Sequence, residues 1–255
     1  MLTVENLSAG YGGEDVIREI SFGLKAGESL SIIGPNGCGK TTLLKALAGL
    51  LPYRGEAMLA GQSIGRMKPR DLARQLAMLG QAASIYFSYT VFDTVMMGRY
   101  PHIKERLLGR PCEEDESIVL SCIAAAGLSA EKDREITQLS GGQLQRVFLA
   151  RTLAQQPRVL LLDEPSNHLD LRHQAELVDS LKRWVAEEGG VVAGVFHDLN
   201  LAIRLSGRLM VIRDGRVASL GGTGEIISSG LLEEVYGMDV SGYMRKSLGA
   251  WQKKH

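Results

Sequence analysis

Residues 34–42 read GPNGCGKTT, preceded by the apolar run LSII and followed by LLKALAGLL. The stretch fits G-x-x-x-x-G-K-[ST], with Gly34, Gly39, Lys40 and Thr41 in the fixed positions. Glycines let successive backbone N–H groups turn inward around a polyanion that side chains would otherwise obstruct. A helix starting after the loop would aim its positive end at the same spot. Lys40 is suited to neutralise β- and γ-phosphate oxygens, and the Thr41 hydroxyl to bind Mg2+. With Pro35, Asn36, Gly37, Cys38 and Thr42, these residues outline a hollow that fits a nucleoside triphosphate tail. Any residue is permitted at position 38, so Cys38 is read as lining.

Outward from the loop, the chain alternates between strand and helix patterns. Residues 2–7 (LTVENL), 17–24 (IREISFGL) and 28–33 (ESLSII) read as short strands, with a turn at Lys25-Ala26-Gly27. Leu43, Leu44, Leu47 and Leu50 mark one face of a helix ending near Gly49. Residues 70–128 hold few strong strand patterns, whereas EEDESIVLSCIAAAGL has the acidic start and the Gly127 stop of a helix. Residues 88–152 are therefore expected to form a mainly helical sub-lobe. RVLLLDE (158–164) and GVVAGVFHD (190–198) are unbroken apolar runs, as in strands buried within a parallel sheet. Between them, Ala175, Leu177, Val178, Leu181 and Val185 form a helical stripe, and Asp214-Gly215 reads as a hairpin turn. These patterns predict one α/β domain over residues 1–222 and a short helical tail over 223–255.

Bulk properties narrow the function. The chain has 255 residues, 45% of them hydrophobic, and 29 basic residues balance 29 acidic ones. A polyanion-binding surface would show a basic excess, so nucleic acid is not expected as a partner. No apolar run approaches the roughly 20 residues that cross a bilayer, and the first residues do not read as a secretory leader. Cys38, Cys112 and Cys122 form no metal-spaced pair, which suggests reduced thiols in a cytosolic protein.

A strand ending in Asp163-Glu164 complements the loop. The first carboxylate is placed to hold the Mg2+ shell, and the second to polarise water for attack on the γ-phosphorus. Between loop and carboxylates stands Leu139-Ser140-Gly141-Gly142-Gln143 (LSGGQ), ahead of LQRVFLARTLAQQP. A serine hydroxyl and glycine amides at a helix start form a second anion-binding end.

With LSGGQ the chain resembles the nucleotide-binding ATPase subunit of ABC transporters, over roughly residues 2–240. The resemblance implies a P-loop NTPase core with an antiparallel β subdomain and a mainly helical signature subdomain. It implies ATP with Mg2+, and a head-to-tail dimer in which Ser140, Gly141, Gly142 and Gln143 close over nucleotide held by the other copy. Gln81, in MLGQ, resembles the glutamine that reaches Mg2+ and the attacking water, although Gly80 stands where proline is more usual. Glu164 resembles the catalytic base and His197 the histidine that contacts the γ-phosphate. Residues 166–170, SNHLD, resemble the loop against the partner subunit, which brings in Asp170. Tyr11 resembles the aromatic that stacks on adenine.

A narrower likeness lies in TVFDTVMMGRYPH (90–102), LDEPSNHLDLRHQAEL, FHDLNLAIRLSGRLMVIRDGRV and LLEEVYGMDV. These are similar to the ATPases of importers for ferric siderophores, haem or cobalamin. Two departures are Gly207 where aspartate is usual and GGQLQR in place of GGERQR. The implied partners are integral-membrane permease subunits and, indirectly, a substrate-binding protein, with this chain peripheral on the cytoplasmic face of the inner membrane. The aromatic-rich segment 84–92 fits either sub-lobe core or a groove for a permease helix. An exporter ATPase, or an ABC ATPase acting on nucleic acid or ribosomes, shares the catalytic motifs and stands as the alternative.

Overall fold

A computed structural model describes residues 1–80, 88–103, 110–167 and 169–252. The chain opens with β1 (Leu2–Tyr11) and β2 (Glu14–Leu24), then β3 (Ser29–Ile33) runs through the glycine loop into α1 (Lys40–Leu47). Strands β4 (Tyr53–Leu59) and β5 (Gln62–Ser63) follow, then α2 (Pro69–Ala73) and β6 (Leu76–Leu79). Helices α3 (Val91–Met96), α4 (Glu113–Ala125) and α5 (Gly141–Ala154) make the sub-lobe. Then come β7 (Val159–Asp163), α6 (Leu171–Glu188), β8 (Val191–Val195), α7 (Leu199–Leu205), and the hairpin of β9 (Arg208–Arg213) and β10 (Arg216–Gly222). The described chain finishes with α8 (Thr223–Ser228), α9 (Leu231–Tyr236) and α10 (Val240–Gln252).

Two sheets result. The smaller is antiparallel in the order β2-β1-β4-β5, with Leu2 opposite Leu24 and Leu59. The larger runs β10-β9-β3-β8-β7-β6 and is parallel except for the β10 edge. Its register pairs Ile32 with Val195, Asp163 with Val195 and Leu79 with Leu162. The carboxyl ends of β3, β8, β7 and β6 therefore open on one edge, where ligands of open α/β sheets sit.

Every residue of β7 and β8 is buried, because helices or the second sheet cover both faces. Alternation decides which side each serves: Val159 and Leu161 face α1 and the small sheet, while Leu160 and Leu162 face α6 and α7. The sub-lobe has a core of its own, in which Val91, Val95, Val119, Ile123 and Val147 meet. The tail packs onto the main body, since Ile226, Leu232, Val235 and Val240 join the cluster containing Ile33 and Val211. Strand β6 lies within residues 70–128, where the sequence shows few strong strand patterns. LAML has no β-branched residue and no polar alternation, so only its pairing to β7 reveals it.

Candidate active site

The loop after β3 is shaped by contacts that only glycine permits. Gly34 has φ +151°, and a Cβ there would lie 2.1 Å from the Ile212 carbonyl oxygen. Gly39 has φ +103°, and its Cβ would meet the Ile17 side chain at 2.3 Å. Gly39 also precedes α1 without a side-chain cap, so the first N–H groups of the helix remain available to an anion. Lys40 is buried and donates from Nζ to the Gly34 and Pro35 carbonyls, both at 2.8 Å. Asn36 and Gly37 are exposed at the tip, whereas Cys38 and Thr42 are buried. Burial pushes the Cys38 thiol up, and the adjacent Lys40 charge opposes this.

Strand β7 delivers two carboxylates with different settings. Asp163 is 1% exposed and accepts a hydrogen bond from the Thr41 hydroxyl at 3.1 Å. Burial raises its pKa, as does Glu164, while the Thr41 bond, Lys45 and Lys40 pull it down. Thr41 and Asp163 share a cavity of about 250 Å³ with Lys45, Leu50, Met78 and Gly80. Two hard oxygen ligands at its wall suit Mg2+.

Glu164 turns out of the strand in a left-handed conformation, φ +54°. Such backbone costs a non-glycine residue of order 1–3 kcal/mol and clusters at functional sites. The turn is held by the Glu164 N–H donating to the Val195 carbonyl at 3.1 Å. It directs the carboxylate so that Oε2 accepts from Asn167 Nδ2 at 2.6 Å and Oε1 sits in hydrogen-bond contact with His197 Nε2. His197 lies two residues beyond the end of β8, so adjacent strands bring Glu164 and His197 together.

Tyr11 ends β1 beside the Gly12-Gly13 turn and is 51% exposed. The Lys45 ammonium stands 6.0 Å from its ring centroid, so Tyr11 flanks the phosphate loop from the antiparallel sheet.

Ser140 starts α5 through a reciprocal capping box: Gln143 N donates to Ser140 Oγ at 3.2 Å and Ser140 N to Gln143 Oε1 at 3.0 Å. Ser140 and Gly141 are exposed. Among the described residues, no hydrogen bond joins Ser140–Gln143 to the phosphate loop. The structure thus gathers Gly34–Thr42, Asp163, Glu164 and His197 on one sheet edge and leaves the LSGGQ helix tip facing outward. Asp170 caps α6, accepting from His173 N at 2.9 Å and paired with His173 Nδ1 at 2.8 Å. Those bonds hold its carboxyl below the ordinary range. Gln81 lies outside the described residues, two positions past the end of β6 in the sequence. Of the aromatic segment, residues 84–87 also lie outside them; Tyr89 is half-exposed, while Phe92 packs on the sub-lobe core.

Three contributors had no role in the sequence reading. Asn167 fixes Glu164, and Gln145 of α5 donates to the Pro165 carbonyl at 3.1 Å. The Gly34 backbone beside Tyr236 of α9 offsets part of the rise that burial imposes on its phenol. Asn167 stood within SNHLD, but nothing in the sequence distinguishes Gln145 from its neighbouring polar residues.

A protein-family model described as ABC transporter matches residues 17–167. The chain is 38% identical over 235 residues to the ferric enterobactin transport ATP-binding protein FepC of Escherichia coli, covering 92% of this chain and 86% of FepC. It is 40% identical over 247 residues to the ABC transporter ATP-binding protein YvrA of Bacillus subtilis, covering 96% of this chain but 56% of that protein's length. Among solved structures, an inward-facing metal-chelate type ABC transporter superposes with a TM-score of 0.80 at 29% identity, over 92% of this chain and 88% of that one. The dimeric ATP-binding cassette MJ0796, bound to ADP and Pi, gives 0.76 at 28% identity, over 87% and 98%.

Proposed function

We propose a hydrolytic cycle from one premise: this chain belongs to the ABC transporter family of ATP-binding subunits. It hydrolyses ATP to power an importer, and its relatives point to a metal chelate as cargo. The observation that carries the reading is the division of the site. One chain assembles the phosphate loop, Asp163, Glu164 and His197 on a sheet edge, whereas Ser140 and Gly141 of its LSGGQ helix tip are exposed and, among the described residues, make no hydrogen bond to that loop, which supports a second copy supplying the tip.

The phosphate loop would hold the triphosphate by backbone N–H groups, with Lys40 exchanging its carbonyl partners for phosphate oxygens. Thr41 and Asp163 would hold Mg2+. When bound, the ion supplies neutralisation of charge on the phosphate oxygens. Tyr11 offers a face for the base. Glu164, aimed by Asn167 and its own left-handed turn, takes the proton of the attacking water. His197 holds the other carboxylate oxygen and would contact the γ-phosphate. Ser140 and the glycine amides of the second copy would close the site, with Gln143 and Asp170 contributing at the joint; Gln81, outside the described residues, is assigned its role at Mg2+ and the attacking water from the family resemblance alone.

No helix among the described residues is long and apolar enough to cross a membrane. We place the chain on the cytoplasmic face of the membrane, held by permease subunits and linked through them to a substrate-binding protein. A groove of about 800 Å³ beside β6, lined by Leu50, Leu51, Met67, Leu72 and Met78, is the candidate seat for a permease helix.

The test is Glu164→Gln. It should bind ATP, form a dimer in light scattering and hydrolyse about 10²–10⁴-fold more slowly. An ATP-saturated variant that stays monomeric, alone and with its permease, removes the two-chain site.

A further inference from the structure

Residues 90–102 carry no group of the hydrolytic site, yet they build a buried polar joint. Helix α3 runs into a single turn ending at Arg99, pressed onto α5 so closely that a Cβ on Gly98 would stand 2.2 Å from the Arg151 carbonyl oxygen. Arg99 is 4% exposed. Its Nε donates to Asp115 Oδ1 of α4 at 2.8 Å, and its Nη1 donates to the Ala154 carbonyl and to Gln156 Oε1, both at 2.8 Å. His102 Nε2 meets the Gln155 carbonyl at 2.8 Å. Carbonyls at a helix end have no intrahelical partner, and here the segment 99–102 takes two of them.

The same segment is tied to the main body. Arg70 of α2 and Arg74 just after it donate from Nε to the Pro101 carbonyl at 2.9 and 2.7 Å. Gln155 donates to the Leu76 carbonyl at 2.8 Å, on the first residue of β6. That strand ends two residues before Gln81. One end of α5 is thus fixed to the strand that leads to Gln81, and the other end presents Ser140.

A helix of 14 residues is about 21 Å long, so a tilt of about 5° at one end moves the other by about 2 Å. A misplacement of about 1 Å near reacting atoms can lower a rate by about 10². We propose that Arg99 is a positioning residue: its planar fork clasps α4, the end of α5 and Gln156 together, holding the LSGGQ helix at the angle that brings Ser140 onto nucleotide bound by the second copy. This rests on the two-chain site proposed above. Lysine offers a point charge rather than a fork and cannot serve all three acceptors in that geometry.

The experiment compares Arg99→Lys, and the apolar pair Arg99→Met with Asp115→Leu, in the full chain and in the Glu164→Gln background. Thermal midpoint, ATP affinity of the monomer, kcat, KM and ATP-driven dimerisation are measured. The clasp predicts folded variants whose ATP affinity and KM stay within about twofold, while kcat falls at least about tenfold and dimerisation weakens by a similar factor. A purely structural Arg99 would instead lower binding and turnover together with the thermal midpoint, and that result overturns the proposal. So does a folded variant with unchanged kcat and dimerisation. If Glu164→Gln with Arg99 intact stays monomeric on ATP, alone and with its permease, the two-chain site itself is wrong and the clasp falls with it.

Discussion

Gln145 of the LSGGQ helix donates its side-chain amide to the Pro165 carbonyl at 3.1 Å, one residue beyond Glu164. The bond is buried, and it joins the helix that starts at Ser140 to the turn that carries Glu164. Gln145→Leu keeps the volume but leaves the Pro165 carbonyl without this donor, a change worth about 1–3 kcal/mol. The midpoint of thermal unfolding should fall by about 3–10 °C, and kcat by roughly tenfold through misplacement of Glu164. Calorimetry and steady-state ATPase assays check both; an unchanged midpoint would show that the contact contributes nothing.

Gly34 and Gly37 both have positive φ, but they differ in their neighbours. A methyl on Gly34 meets the Ile212 carbonyl oxygen at 2.1 Å, whereas one on Gly37 meets nothing within 4 Å. Gly34→Ala is expected to destabilise by more than about 3 kcal/mol and to abolish nucleotide binding. Gly37→Ala carries only the left-handed backbone penalty of roughly 1–2 kcal/mol. Urea titration ranks the two, and equal losses would contradict the loop geometry.

Asp115 gives the protein an acid limb. Burial alone would raise its pKa, but the Arg99 bond and the Cys112 N–H and thiol more than offset this and hold it low. A carboxyl depressed in the folded state contributes stability above its unfolded pKa, about 3.9, and loses it as pH falls through the folded value. Unfolding free energy should therefore drop below about pH 4 in the native chain. Asp115→Asn should be less stable at neutral pH and show a flatter acid limb.

The three thiols should react in a fixed order. Cys112 is exposed, while Cys122 is pushed up to about 11 by burial. Cys38 is buried and also raised. Since the thiolate is the nucleophile, a chromogenic disulfide at pH 8 should label one thiol per folded chain quickly, at Cys112. Mass spectrometry locates it; rapid labelling of Cys122 would mean that the sub-lobe core opens.

The local chemistry of the chain was legible in its sequence. GPNGCGKT, the strand ending Asp163-Glu164, LSGGQ and the Asp214-Gly215 turn each depend on residue types at fixed spacing, because backbone conformation and donor count are set within a few residues. Tertiary structure alone decided what depends on pairing between distant segments. Strand β6 exists because β7 accepts it, and Glu164 meets His197 because β7 and β8 are neighbours in register. The joint of Arg99, Asp115, Ala154 and Gln156 likewise draws on segments up to 57 residues apart. Spacing along a chain fixes which groups are present; close packing and hydrogen-bond satisfaction fix which of them meet.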